Sequence, residues 1–280
     1  MATTITGNAK VLGKNLLLVA TNTVVISSGS GGDNIKDNDR ASFYISSGSN
    51  DSTDETITIT FSAAQTFNNI ILGQTNFKAF KLEYDNSGWT AFANVFSNNG
   101  QSLTGADYNY SADTLTGYAG YYFEFVSVTT TIIKITAKKT LIAGAEKFLY
   151  NLVLGLSKGT FIDDIYSEPN SFRDISGGQG QIQILKSNLG TKVISRGSKY
   201  RAEGELFELS NAADQTLYYN LVDSGEITFY PCGGKTTYST RGKRIQDFYV
   251  VNFVGDESAS YAHGRDKNTG LIASYQLLEI

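Results

Sequence analysis

The sequence predicts an all-β protein: a jelly-roll sandwich over residues 15–155, then a second β-sandwich-type domain over residues 156–280 that carries one helix. Three observations predict it. First, Thr56-Ile57-Thr58-Ile59-Thr60-Phe61 alternates polar and apolar residues without a break. Such alternation gives one buried and one wet face, as in an antiparallel strand. Second, the 280 residues include 17 Tyr, 16 Phe and one Trp, while only 18% are charged. Aromatic and β-branched side chains suit a pleated, half-buried surface. Third, clusters of Gly, Ser, Asn and Asp recur at short intervals and supply turns. The length allows two separate cores.

Residues 1–14 read as an amino-terminal arm with little pattern. Leu16-Leu17-Leu18-Val19 is predicted as a strand, and Val24-Val25-Ile26 is a second apolar group. Residues 27–39 form a Gly/Ser/Asp/Asn loop, because Gly and Asp disfavour a sheet. Phe43-Tyr44-Ile45 is a short strand before another polar loop, 46–54. Residues 56–61 and 67–73 are predicted as two strands. Phe80-Lys81-Leu82-Glu83-Tyr84 then leads through the turn Asp85-Asn86-Ser87-Gly88 into Trp89. Residues 92–118 are irregular, a surface excursion or a binding loop. Residues 121–128 and 131–137 alternate again as two strands, the chain turns at 138–144, and 148–154 closes a set of about eight strands.

The boundary is placed at residues 155–161. Beyond it, strands are predicted at 181–185, 200–209, 227–230, 248–254 and 271–278. The third of these stops at Pro231, which cannot donate to a ladder. One helix is predicted near 211–223. Asn211 caps it, and Asp214 stands at the third helical position, where a carboxylate meets free amides. Leu217, Tyr218, Leu221 and Val222 form its apolar face, and Gly225 follows its end.

The net charge of −4 is spread over both halves, so no basic lobe offers phosphate neutralisation and no nucleic acid is expected as a partner. Lys235, Arg241, Lys243 and Arg244 read as a mixed-charge loop. The single cysteine, Cys232, excludes an intrachain disulfide and a cysteine zinc site. The single histidine, His263, excludes a multi-histidine metal site and reads as a loop residue. Residues 1–18 lack a signal-peptide pattern, and no apolar run is long enough to span a membrane. Synthesis in a cytoplasm without a signal peptide is expected.

No P-loop, dinucleotide fingerprint or nucleophile elbow is present, and no catalytic residue or cofactor is expected. The carboxylate pairs Asp163-Asp164 and Asp37/Asp39 read as turn residues. Asp33, Asp37 and Asp39 can offer oxygen ligands to calcium, though not in an EF-hand spacing; Asp37 and Asp39 are the metal candidates. Trp89 is either a fold residue at a strand start or a stacking platform for a sugar. Tyr108, Tyr110, Tyr118, Tyr121 and Tyr122 cluster around the irregular stretch, either as a platform for a glycan or partner or as ordinary packing. The ligand-binding candidates are therefore Tyr108, Tyr110, Tyr118 and Trp89.

The order of these signals resembles a known family. Asn34-Ile35-Lys36-Asp37-Asn38-Asp39-Arg40-Ala41-Ser42-Phe43-Tyr44 is similar to the acidic turn, small residue and aromatic block of discoidin-like, coagulation-factor C-type, galactose-binding-like domains. Residues 57–61, Asn69-Ile70-Ile71-Leu72, and 80–84 with Asn86-Ser87-Gly88-Trp89 resemble the strands and tryptophan turn that follow. The resemblance covers residues 15–155. It lacks the terminal cysteine pair of secreted members and has Tyr44 where tryptophan is usual. The closing strands, Ile132-Ile133-Lys134-Ile135-Thr136-Ala137 and 146–152, are more similar to the discoidin-like domains of tailed-bacteriophage structural proteins. In the second half, Glu205-Leu206-Phe207-Glu208-Leu209-Ser210, the helix, Phe229-Tyr230-Pro231 and residues 247–253 resemble phage-tail β domains carrying one helix.

The resemblance implies a non-enzymatic virion protein of the tail tip, baseplate or fibre attachment region. Its implied partners are other tail proteins, with copies assembled in a symmetric ring or trimer. The alternative is a carbohydrate-binding host-recognition module on a tail fibre, with a cell-surface glycan as partner. A small glycosidase is a third class.

Overall fold

The computed structural model describes residues 10–37, 42–48, 51–97, 102–103, 108–109, 119–160, 173–174, 182–187, 190–195, 201–209, 212–222, 226–230, 249–255, 260–261 and 271–279. Among the described residues the chain is all-β with one α-helix. It divides into two compact units. The described residues of one lie within Leu12–Ser157, and those of the other within Asn8–Val11, Lys158–Gly234 and Tyr249–Ile280.

The amino-terminal segment contains a strand, β1 (Lys10–Leu12), where the sequence shows no pattern. Leu16–Leu18 is a single 3-10 turn and not the predicted strand. Local hydrogen bonds decide this against the apolar run. The Asn15 carboxamide accepts from the Leu17 amide, and Asn22 Nδ2 donates to the Leu16 carbonyl at 2.9 Å. A strand β2 (Thr23–Ile26), a second 3-10 turn (Gly32–Lys36) and β3 (Tyr44–Ile45) follow.

The next strands are longer than their sequence signals. Residues 55–75 form one continuous strand, β4 (Glu55–Thr75), not two. β5 (Phe77–Asp85), β6 (Trp89–Ala91), β7 (Asn94–Ser97) and β8 (Tyr108–Asn109) come next. β7 and β8 thus fall inside the stretch that shows no regular pattern. β9 (Ala119–Thr140) is again one strand where two are predicted, and β10 (Phe148–Gly155) closes the unit.

All of β2 to β10 belong to one antiparallel nine-stranded sheet. It folds over itself because β4 and β9 run through both layers. The first half of β4 pairs with β2 and with the second half of β9, which in turn pairs with β5. The second half of β4 pairs with β10 and with the first half of β9, which carries β7 on its other side. Register shifts between Thr60 and Gln65, and again between Phe67 and Asn69, mark where the pair bends, as bulges do. Ser62, Ala63 and Ala64 are exposed at the bend, which is why alternation lapses there while the ladder continues.

The core lies between the layers. Phe80 of the first layer packs on Tyr121 of the second with centroids 4.8 Å apart. Phe67 is surrounded by Phe61, Phe92 and Phe125 at 6.1, 6.0 and 5.9 Å. Tyr121 and Tyr122 are fully buried. They are packing residues, and the platform reading fails for both.

Two buried asparagines hold β10. Beyond Leu149 its outer border is not paired with β3. There the Asn15 carboxamide donates to the Leu152 carbonyl at 3.1 Å and accepts from the Leu154 amide at 3.2 Å. It occupies the place a neighbouring peptide group would take. At the other end Asn76 donates to the Glu146 carbonyl at 2.6 Å and accepts from the Phe148 amide at 2.9 Å.

The second unit adds β11 (Ser157–Thr160), β12 (Arg173–Asp174), β13 (Ile182–Ser187), β14 (Gly190–Ser195), β15 (Arg201–Leu209), α1 (Ala212–Val222), β16 (Glu226–Tyr230), β17 (Tyr249–Gly255), β18 (Ser260–Tyr261) and β19 (Leu271–Glu279). An eight-stranded sheet has the order β11-β1-β16-β17-β19-β15-β12, with β18 on β19, and β13–β14 is a separate hairpin. The sequence predicts β13 but not β14. The helix matches its prediction: Leu217, Tyr218 and Leu221 are buried, as is Asp214 in its first turn. It lies against β15 and β17.

Candidate functional site

The outer face of the first layer is built by register alone. Inward residues Ile57, Ile59, Leu82, Ile133 and Ile135 fill the core, so their neighbours along each strand face out. One cross-strand row then reads Ala91, Glu83, Lys134, Thr58, Val25. A flanking row contains Ile132, Thr60 and Thr23, and Lys81, Thr136 and Thr56 make a third. Trp89 sits opposite Asp85 at the border formed by β6.

The β5–β6 turn presents Trp89. Asp85 Oδ1 accepts from the Gly88 amide at 3.0 Å, and Ser87 adopts a left-handed φ of 57°. Such turns favour Asp, Asn, Ser and Gly. The Thr130 hydroxyl donates to the Asp85 carbonyl at 3.1 Å and ties the turn to β9. Trp89 is 47% exposed. Trp89 is therefore not a core residue, and its place at the start of the border strand β6 fits a sandwich-edge residue as well as a sugar platform.

The ring is held in place from one side. Lys134 Nζ lies 3.9 Å from its centroid, and the same ammonium pairs with Glu83 Oε2 at 3.1 Å. The lysine and glutamate side chains are mostly buried. A cation over an indole contributes roughly 0.5–2 kcal/mol, more as water is excluded. The aromatic surface is therefore oriented before any ligand arrives, which reduces the ordering cost of binding.

The other sequence candidates are not gathered here. Tyr108 lies on β8, where its backbone pairs with Phe80 of β5. Tyr110, Tyr118 and Asp39 lie outside the described residues, as do Cys232, His263, Asp163 and Asp164. Asp37 follows the second 3-10 turn and accepts from the Ser42 hydroxyl at 2.7 Å, while Asp33 pairs with Lys36 at 2.8 Å. Among the described residues no group of three or more His, Cys, Asp or Glu side chains could hold a metal ion. Lys134 and Glu83 were within sequence reach, because both stand in alternating strands. Their pairing depends on the β5–β9 register, which no local pattern encodes.

A second polar cluster lies inside the same unit. Ser27 and Ser28 hydroxyls donate to Glu55 Oε2 at 2.6 and 2.7 Å. Tyr44 is fully buried nearby, and among the described residues its hydroxyl has no hydrogen-bond partner. Burial, and then the Glu55 charge, push the phenol up from 10.0 to about 12, and the Ser28 hydroxyl, which donates to Glu55, leaves that shift standing. The folded state thus favours the neutral phenol. The resulting stability is complete below pH 10 and is lost as pH rises toward 12. Tyr44→Phe is expected to change stability at neutral pH by less than ~1 kcal/mol. It is expected to flatten the loss of stability between pH 10 and 12. Urea unfolding at pH 7, 10, 11 and 12 checks this, and parallel losses in the two proteins would refute it.

No protein-family model matches the sequence, and the comparison with curated proteins finds no match. Among solved structures, the chain is similar to a Ruminococcus gnavus fucosidase in complex with fucose, at 18% identity and TM-score 0.37, over 51% of this chain and 26% of that one. The chain thus spans about a quarter of that enzyme. It is similar to chitosan-binding module 1 from a Paenibacillus chitosanase/glucanase at 14% identity and TM-score 0.38, over 51% of this chain and 98% of the module. A Clostridium perfringens module in complex with GalNAc-β-1,3-galactose matches at 11% identity and TM-score 0.38, over 50% of this chain and 99% of the module. All three TM-scores lie below 0.5.

Proposed function

We propose that the protein binds carbohydrate without turning it over, and that the sheet face bordered by Trp89 receives the sugar. The observation that carries this reading is the half-exposed Trp89 ring, oriented by Lys134 at the border of a face whose β4 and β2 strands turn threonines outward. An indole offers an apolar plane for the C–H face of a sugar ring. Hydroxyls that both donate and accept complement the ring's edges. The carboxylates beside Trp89 are already engaged, Glu83 with Lys134 and Asp85 in its turn, which favours binding over acid–base chemistry.

Trp89→Ala is expected to weaken glycan binding by ~1–3 kcal/mol, roughly five- to 150-fold. The fold should survive, because Trp89 stands on a border strand with half its surface in water. Affinity electrophoresis against a polysaccharide panel, with thermal melts of both proteins, tests this. Equal retardation of wild type and Trp89→Ala would remove Trp89 from the site. Release of reducing ends on long incubation would overturn the non-catalytic reading.

The setting proposed for this binding is a tailed-phage fibre or tail, with the chain in a ring or trimer beside other tail proteins. It rests on the sequence resemblance alone. Proteomics of purified particles tests it, and absence from particles would overturn it.

A further inference from the structure

We propose, resting on the carbohydrate reading above, that the ligand is an uncharged, extended glycan chain lying across the strands from Trp89 toward Val25. It is held along its length, not by one end.

Register supplies the path. Glu83, Lys134, Thr58 and Val25 stand directly opposite one another on four adjacent strands, and Trp89 projects from the fifth. Five strands give four inter-strand spacings, a track of about 19 Å. That is long enough for several sugar rings laid end to end. The borders differ from the middle. Trp89 is 47% exposed at one side and Val25 62% exposed at the other, with Glu83, Lys134, Ile132, Thr58 and Thr60 between them. High β propensity alone accounts for threonine on an outer face. It does not account for large apolar groups left in water at both borders of that same face.

Charge selects the ligand class. The face carries Lys81 and Lys134 against Glu83 and Asp85, and the central lysine and glutamate pair at 3.1 Å. A uronate or sulfate over this row would meet the Glu83 carboxylate, with Asp85 two residues along β5, and would compete for the Lys134 ammonium that Glu83 already holds. A neutral chain keeps that pair intact, stacks on Trp89 and exchanges hydrogen bonds with Thr58, Thr60 and Thr23.

The test uses the full chain with neutral linear polysaccharides, acidic polysaccharides, and size-graded oligosaccharides of whichever polymer binds. The variants are Trp89→Ala and Thr58→Val; the latter keeps a β-branched shape and removes only the central hydroxyl. Support is affinity that rises at least tenfold from disaccharide to longer oligomers, little response to 0.5 M salt, and a loss of about threefold or more for Thr58→Val with an unchanged melt. Full affinity for a mono- or disaccharide, with Thr58→Val indistinguishable from wild type, would overturn this proposal and leave the carbohydrate reading standing. Salt-sensitive binding confined to acidic polymers would overturn the neutral class. Failure to bind any glycan would overturn both readings.

Discussion

Replacing Asn15 by alanine is expected to destabilise the first unit by roughly 3–5 kcal/mol, since up to three buried backbone groups lose partners at about 1–3 kcal/mol each. The Leu17 amide, the Leu154 amide and the Leu152 carbonyl all bond to this one carboxamide. Asn15 is fully buried, so water cannot easily replace it. The loss falls where the outer border of β10 has no strand beside it. Asn15→Asp separates the roles of the two ends. It keeps an acceptor for the two amides but sets an oxygen against the Leu152 carbonyl, so it should recover only part of the loss. Urea unfolding followed by circular dichroism measures both variants. A cost under ~1 kcal/mol for Asn15→Ala would show that the border of β10 is satisfied in another way.

Phe67→Ala is expected to cost about 3–5 kcal/mol, the usual range for truncating a buried ring. Phe67 is fully buried just past the bend of β4, with Phe61 before the bend and Phe125 on β9 packed edge-on against it. The cavity would open where the two layers meet, a place that cannot collapse without moving β4 or β9. Phe67→Leu fills most of the space and is expected to cost nearer ~1.5 kcal/mol. Calorimetry of the three proteins checks the ranking. Equal melting of Phe67→Ala and wild type would mean that the bend relaxes to fill the gap.

The sequence was legible where its period matched one physical constraint at a time. Thr56 to Phe61 has one wet and one dry face, and it is a strand. Leu217, Tyr218 and Leu221 recur at helical spacing, and they are the buried face of α1. It was misleading where a segment answers to two constraints. β4 and β9 lose their alternation at exposed bends, so each reads as two strands although hydrogen bonding continues. Leu16-Leu17-Leu18 reads as a strand because it is apolar, but a preceding asparagine turns it. Asparagine is common in turns and nothing local in the sequence marks Asn15 or Asn76, so only the fold reveals that each replaces a peptide group. At the candidate site, the exposure of Trp89 and its contact with Lys134 come from register between strands far apart in sequence.

The shared strands also fix when the sandwich can first exist. Glu55 at the start of β4 pairs with Ala137 near the end of β9, while Thr75 at its end pairs with Ala119 and, on the other side, with Leu149. During synthesis β2 can meet the first half of β4 early, because residues 27–54, which separate them, are already made when β4 emerges. The second half must wait for partners not yet made. Pairings this distant in sequence form slowly and leave strand edges open meanwhile. A nascent chain ending before residue 140 therefore lacks the end of β9 that the first layer needs and all of β10, which the second layer needs. For as long as that lasts, residues 67–75 emerge as an apolar segment that a chaperone, or another unfinished copy, can reach first.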